Sequence, residues 1–134
     1  MKDEAGRAEV RPQDLKARTR AFALRVIRLC ESLPNSAPGR VISNQLLRAG
    51  TSVGAHYREA TGARSTAEFV SKLEGGLQEL EETMYWMELV TEANLLPTSR
   101  LADLAAEADE LTAILVSCVR SAKAKTGATK ECKQ

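Results

Sequence analysis

GTSVGAHYREATGARSTAEFVSKLEGGLQELEETMYWMELV, Gly50 to Val90, is the stretch whose reading decides the fold. It holds the end of one helix, a short break and the start of a longer helix. Val70, Leu73, Leu77, Leu80, Met84 and Met87 recur at spacings 3-4-3-4-3. A seam of that period is what helices show when they pack in a left-handed bundle. Just before it, Ser65-Thr66-Ala67-Glu68 reads as a capping box. The serine hydroxyl takes an orphan N–H of the first turn, and the glutamate reaches back to the cap. Gly62 reads as the C-cap of the preceding helix. Gly75-Gly76 interrupts the seam and predicts a kink or a tight crossing.

Working towards the N-terminus, a helix is predicted from Arg40 to Thr61. Ile42, Leu46, Ala49, Val53 and Ala60 form its apolar face. Gly50 and Gly54, with Ser43 and Thr61 near them on the wheel, form a second face of small residues. A glycine inside a helix costs about 1 kcal/mol relative to alanine. Close approach of another backbone would offset that cost; chance or partial kinking is the alternative. Upstream, Leu15, Phe22, Val26, Leu29 and Leu33 make an amphipathic stripe that begins near Asp14, a plausible N-cap. Pro34 stops it, and Pro34–Gly39 is a loop of turn residues.

Towards the C-terminus, Asn94 and Pro97 end the third helix, and Thr98 or Ser99 caps a fourth. Leu101, Leu104, Ala108, Leu111, Leu115, Cys118 and Ala122 repeat at heptad spacing, and Gly127 ends the run. The predicted helices are therefore 14–33, 40–61, 66–95 and 99–125, with no strand alternation anywhere. Short connections favour antiparallel neighbours. The expected fold is all-α: an antiparallel up-down-up-down four-helix bundle over 14–125. A flexible N-terminus, 1–13, and a disordered tail, 126–134, flank it.

The bulk numbers agree with one helical domain. The chain has 134 residues, 43% hydrophobic but only 4% aromatic, so the core must be aliphatic. A net charge of +1 argues against a strongly basic nucleic-acid binder. The distribution says more. Residues 74–110 carry ten acidic residues and one basic; the rest of the chain carries eighteen basic and eight acidic. Charge segregated by element concerns surfaces and partners. Three cysteines, Cys30, Cys118 and Cys132, form no close pair, which suggests reduced thiols and a cytoplasmic location. No leader pattern opens the chain and no apolar run approaches a membrane span, so no membrane partner is expected.

With the helices placed, a family resemblance can be stated. Its residues are Asp14-Leu15, Ala23 to Ile27, Gln45 to Arg48, Gly50 to Ala55 and Tyr57 to Ala60. Ala63 to Ser65, Glu68-Phe69, Lys72-Leu73, Glu82-Thr83 and Tyr85-Trp86 continue it. Over about 14–96 the chain resembles the bacterial four-helix-bundle proteins encoded by intervening sequences in large-subunit ribosomal RNA genes. The same broad group holds the accessory variability determinant of diversity-generating retroelements. The resemblance implies a four-helix protomer in a cyclic homopentamer, with no established enzymatic activity. The retroelement branch is a basic accessory to a reverse transcriptase, and the near-neutral charge here departs from it. His56 stands where the pattern leads one to expect Asn, and Gly75-Gly76 where it leads one to expect bulkier residues.

Chemistry-bearing constellations are sparse. His56 is the only histidine, with Glu59 one turn on. A helical metal site needs more ligands, so a structural hydrogen bond is the preferred reading. Cys30 and Cys118 lie on or beside apolar stripes and read as packing residues, while Cys132 reads as an exposed thiol. No phosphate loop, dinucleotide or nucleophile motif is present. Hence no catalytic residue, metal or cofactor is assigned, and the chain is not expected to be an enzyme. Tyr57, Tyr85 and Trp86 could stack bases, but at helical spacing they read as core or interface residues.

The charges are more suggestive. Arg11, Arg18 and Arg25 recur every seven residues along the first helix, and Glu74, Glu81 and Glu88 along the third. Rows beside a seam resemble the positions that set partner choice in helical assemblies. Helices one and three are diagonal in an up-down bundle, so pairing would cross a subunit boundary; two solvated faces are the plainer alternative. Gly50, Gly54, Tyr85, Trp86, Leu89, Glu74, Glu81 and Glu88 are accordingly the candidate oligomer interface. Arg11, Arg18, Arg25, Arg48, Arg58 and Arg64 are candidate contacts to nucleic acid or a protein partner. For Arg48, Arg58 and Arg64, salt bridges to the acidic third helix are the favoured account. The reading that follows is a non-catalytic oligomeric scaffold or adaptor, partnered by itself and by an unidentified protein. The alternative is an RNA- or DNA-associated accessory protein.

Overall fold

The computed structural model describes the backbone of residues 12–133 and the side chains of 14–126. Four helices account for nearly all of it: α1 (Pro12–Glu31), α2 (Ala37–Thr61), α3 (Thr66–Glu92) and α4 (Ala102–Lys133), with a 3-10 turn at Thr98–Arg100 before α4. No strand occurs among the described residues. The chain is an all-α four-helix bundle.

The ends of the helices show why they begin and stop where they do. Pro12 opens α1, so the helix starts before Asp14, which lies in its first turn rather than at the cap. Proline suits that place because the N–H it lacks would have no partner there. Ser36 caps α2 by accepting a hydrogen bond from Gly39 N–H at 3.2 Å, so α2 begins three residues before Arg40. Ser65 caps α3 by accepting from Glu68 N–H at 3.1 Å, as the capping box predicts. The reciprocal bond shifts by one residue: Arg64 N–H, not Ser65 N–H, points at Glu68 Oε2 at 3.4 Å.

α3 ends in a Schellman motif. Leu95 N–H donates to Val90 O at 2.9 Å and Asn94 N–H to Thr91 O at 3.1 Å. Asn94 takes the left-handed conformation this requires, with φ 57°. The helical backbone of α4 continues past the expected end at Gly127 to Lys133. A glycine in a helix costs about 1 kcal/mol but does not forbid it, and no proline follows. The expectations for residues 1–11 lie outside the described residues.

The core is aliphatic, as the composition requires. Phe22, Val26, Leu46, Val53, Leu73, Leu80, Leu111 and Leu115 are fully buried. α1 packs on α2, α2 on α3, α3 on α4 and α4 on α1. In α4 the buried face reaches Val119, one position past Cys118. A straight α-helix drifts about 20° per heptad against a strict seven-residue repeat, which moves the seam by that step. Two buried hydroxyls, Thr19 and Thr83, donate to the carbonyls of Leu15 and Glu79, each at 2.7 Å, so neither leaves a polar group unsatisfied.

Candidate interaction surfaces

The small-residue face of α2 packs inside the protomer. A Cβ on Gly50 would stand 2.7 Å from both methyl groups of Val26, and one on Gly54 3.1 Å from Thr19 Oγ1. The absence of side chains at both positions lets α1 lie close. Both positions, candidates for a subunit interface, thus face α1 of the same chain. The cost of the glycines is offset by α1 of the same chain, because a helix wheel shows that a face is small but not which neighbour fills it. Gly75-Gly76 likewise marks a crossing, with α3 unbroken. The His56 ring sits over Gly75, where a Cβ would lie 3.1 Å from Nδ1, and Gly76 is buried between α2 and α4.

His56 Nδ1 also lies 3.0 Å from Glu59 Oε1, with Lys72 Nζ 3.9 Å from the other carboxylate oxygen. The distance suits an ion pair, but the alignment does not make a hydrogen bond, and Nδ1 remains without one. The hydrogen bond expected for His56 is thus replaced by proximity.

The arginine row has a different fate from the one its spacing suggests. Arg18 forms a bidentate pair with Glu107 of α4, Nη2 to Oε1 at 2.8 Å and Nε to Oε2 at 3.1 Å. Glu110 stands 3.4 Å away. Hydrogen bonding to Glu107 raises the Arg18 pKa further, against the opposing effect of burial. Arg18 is thereby occupied within the protomer. Arg25 has no ion pair with another described residue, and Arg11 lies outside them. Arg48 bridges to the acidic helix as favoured, to Glu79 at 3.1 Å and to Glu82. Arg58 and Arg64 are exposed and make no ion pair among the described residues, so the bridges expected of them are absent. Of the glutamate row, Glu74 pairs with Lys123 at 3.2 Å. Glu81 and Glu88 are exposed and have no such partner among the described residues.

Tyr85 is half-exposed and meets Trp86 edge-on at 5.1 Å between ring centroids. Trp86 Nε1–H donates to Glu82 Oε2 at 3.3 Å, and Trp86 and Leu89 lie partly buried against the core. Beside Tyr85 runs a groove of about 590 Å3 between α3 and the start of α4. Its floor includes Met84, Met87 and Leu101, and Glu81, Glu88 and Glu92 stand along it. Heptad reasoning found Tyr85, Glu81 and Glu88 but not Glu92 or the α4 side of this groove. That side depends on where the α3–α4 connection places Leu101 and Ala105.

Cys30 and Cys118 are partly buried against the core, and burial raises both thiol pKa values. Cys30 Sγ also donates to Ser43 O at 3.5 Å. Tyr57 is buried and its phenol is likewise pushed up by burial. Among the described residues no group of three or more His, Cys, Asp or Glu side chains could hold a metal ion. No helix among them is long and apolar enough to cross a membrane.

A comparison with curated proteins finds no match. Among solved structures, the chain is similar to a protein of unknown function from the S23 ribosomal protein family of Bacteroides thetaiotaomicron VPI-5482, with a TM-score of 0.74 and 35% sequence identity. The match covers 78% of this chain and 97% of that one. The family model described as 23S rRNA-intervening sequence protein matches residues 13–117, from α1 into the first half of α4, and the chain belongs to that family.

Proposed function

We propose that this protein is a non-catalytic, self-associating scaffold or adaptor: an antiparallel up-down-up-down bundle that assembles into a cyclic homopentamer in the cytoplasm. The observation that carries this reading is surplus apolar surface on a bundle whose own core is already closed. Leu24, Ile27, Val41, Leu47 and Tyr85 all remain exposed, Val41 at 58% and Tyr85 at 51%. Apolar surface beyond the needs of a core marks interaction sites. The antiparallel order is supported by paired positions. Thr19 meets Gly54 while Val26 meets Gly50, and His56 meets Gly75 while Arg48 meets Glu79. The number five comes from the family resemblance. Light scattering on the full chain tests the assembly: a mass near five protomers supports it, and a monomer at micromolar concentration and physiological salt rejects it.

A second reading is an RNA- or DNA-associated accessory protein. What favours it is the set of arginines without an ion pair among the described residues, Arg25, Arg58 and Arg64, together with the ribosomal-RNA setting in the family's description. Phosphate contacts would make binding fall steeply with salt. Electrophoretic titration of a structured RNA at two salt concentrations checks this; no binding at low salt removes it.

A further inference from the structure

The self-association proposed above leaves open which surfaces meet. We propose that the α3–α4 groove receives the exposed apolar ridge on α1–α2 of a second copy, head to tail. The inference rests on that reading and assigns its contact.

The ridge is made by Leu24, Ile27 and Leu47, 46%, 37% and 37% exposed. Leu24 and Ile27 are neighbours on one helix face. The α1–α2 contacts Cys30–Ser43 and Val26–Gly50 bracket the height at which Ile27 comes level with Leu47. Arg20 and Arg28 flank Leu24 one turn before and after it, both exposed and without an ion pair among the described residues. The groove presents the converse: an apolar floor with Tyr85 standing beside it, and Glu81, Glu88 and Glu92 along it without an ion pair among the described residues.

Charge decides which surfaces can meet. α3 carries seven acidic residues and one basic, whereas α1 and α2 together carry eight basic and three acidic. Groove on groove would set the three glutamates against their own copies, and ridge on ridge would do the same to the arginines. Like charges brought together across an interface are strongly unfavourable. Groove on ridge sets acid against base around an apolar centre, the arrangement of a specific interface. The two surfaces lie on different helix pairs of one protomer, so the contact is heterologous, and repetition closes a ring or extends a filament. A polyanion such as RNA is excluded from the groove by the same glutamates. A basic helix of another protein would satisfy them, but the counterpart already present on this chain is the ridge.

Two full-length variants test this. Tyr85→Glu with Ala102→Glu blocks the groove, and Leu24→Glu with Leu47→Glu blocks the ridge; circular dichroism confirms that each is folded. Sedimentation equilibrium should find each variant monomeric alone. Mixed in equal amounts they should give a heterodimer that grows no further, since each brings one intact surface. A mixture that stays monomeric overturns the head-to-tail contact. Variants that retain the parental mass overturn this surface while self-association stands. A monomeric parent overturns both. Should either double variant fail to fold, Glu81→Lys with Glu88→Lys should weaken association at least ten-fold. Adding Arg20→Glu with Arg28→Glu to that chain should restore it, and no restoration counts against the pairing.

Discussion

Replacing Gly50 by alanine sets two quantities of similar size against each other, and the structure decides the sign. Helix propensity alone favours alanine by about 1 kcal/mol. The new methyl would lie 2.7 Å from both Val26 γ-carbons and 3.0 Å from its Cβ, against about 3.5–4.0 Å for an ordinary carbon contact. Val26 is fully buried and branched at Cβ, so both methyl groups meet the clash and it has no free end to swing away. The helices must separate instead. Overpacking of this kind costs about 1–3 kcal/mol, and against the propensity gain the net expectation is a loss of up to about 2 kcal/mol, a fall in Tm of up to roughly 6 °C. Urea unfolding followed by far-UV circular dichroism, at fixed protein concentration, should show a lower midpoint with an unchanged slope. Adding Val26→Ala should recover part of the loss by removing the opposing methyl groups, a coupling seen only for residues in contact. A Gly50→Ala protein more stable than its parent by the full propensity difference would refute the close α1–α2 approach.

Gly76 gives the opposite sign. Gly76→Ala meets nothing nearer than 3.6 Å, so it should gain about 1 kcal/mol from propensity; a destabilised variant would contradict that packing. Arg18→Met should cost about 1–2 kcal/mol, because it leaves Glu107, whose side chain is 19% exposed, without its charged partner; an unchanged urea midpoint would show the pair to be idle. In a Cys132→Ser background, Cys30 and Cys118 should react with a disulfide reagent only at higher pH than the same chain in denaturant. Burial raises both folded pKa values, so the folded state binds more protons in alkali. Stability from these thiols is present below the unfolded pKa and is lost as pH rises towards the folded one. Equal reaction rates in folded and unfolded chains would sink this.

Much of the bundle is legible in the sequence because its signals are local. Ser65 and Glu68 start α3 by hydrogen bonds that span only three residues, and the Val70–Met87 seam needs no knowledge of its neighbours. Asp14 and Gly127 read as helix ends that the chain passes: a proline two residues earlier opens α1, and a glycine can be carried through a helix when nothing else stops it. The surfaces were harder to read, since they depend on which helices become neighbours. Gly50 and Gly54 announce a close approach, but only the packing of α1 on α2 says that Val26 and Thr19 fill it. The row of Arg18 and Arg25 suggests a partner row on α3. The fold gives Arg18 to Glu107 on α4 instead and leaves Glu81 and Glu88 facing outwards.

The account turns on self-association, and the solution mass of the full-length protein tests it most directly. Multi-angle light scattering across micromolar concentrations at physiological salt should return about five times the protomer mass. Raising the salt should shift the assembly towards smaller species, as screening weakens the contacts between glutamate and arginine surfaces. A single species of protomer mass throughout that range would contradict the account.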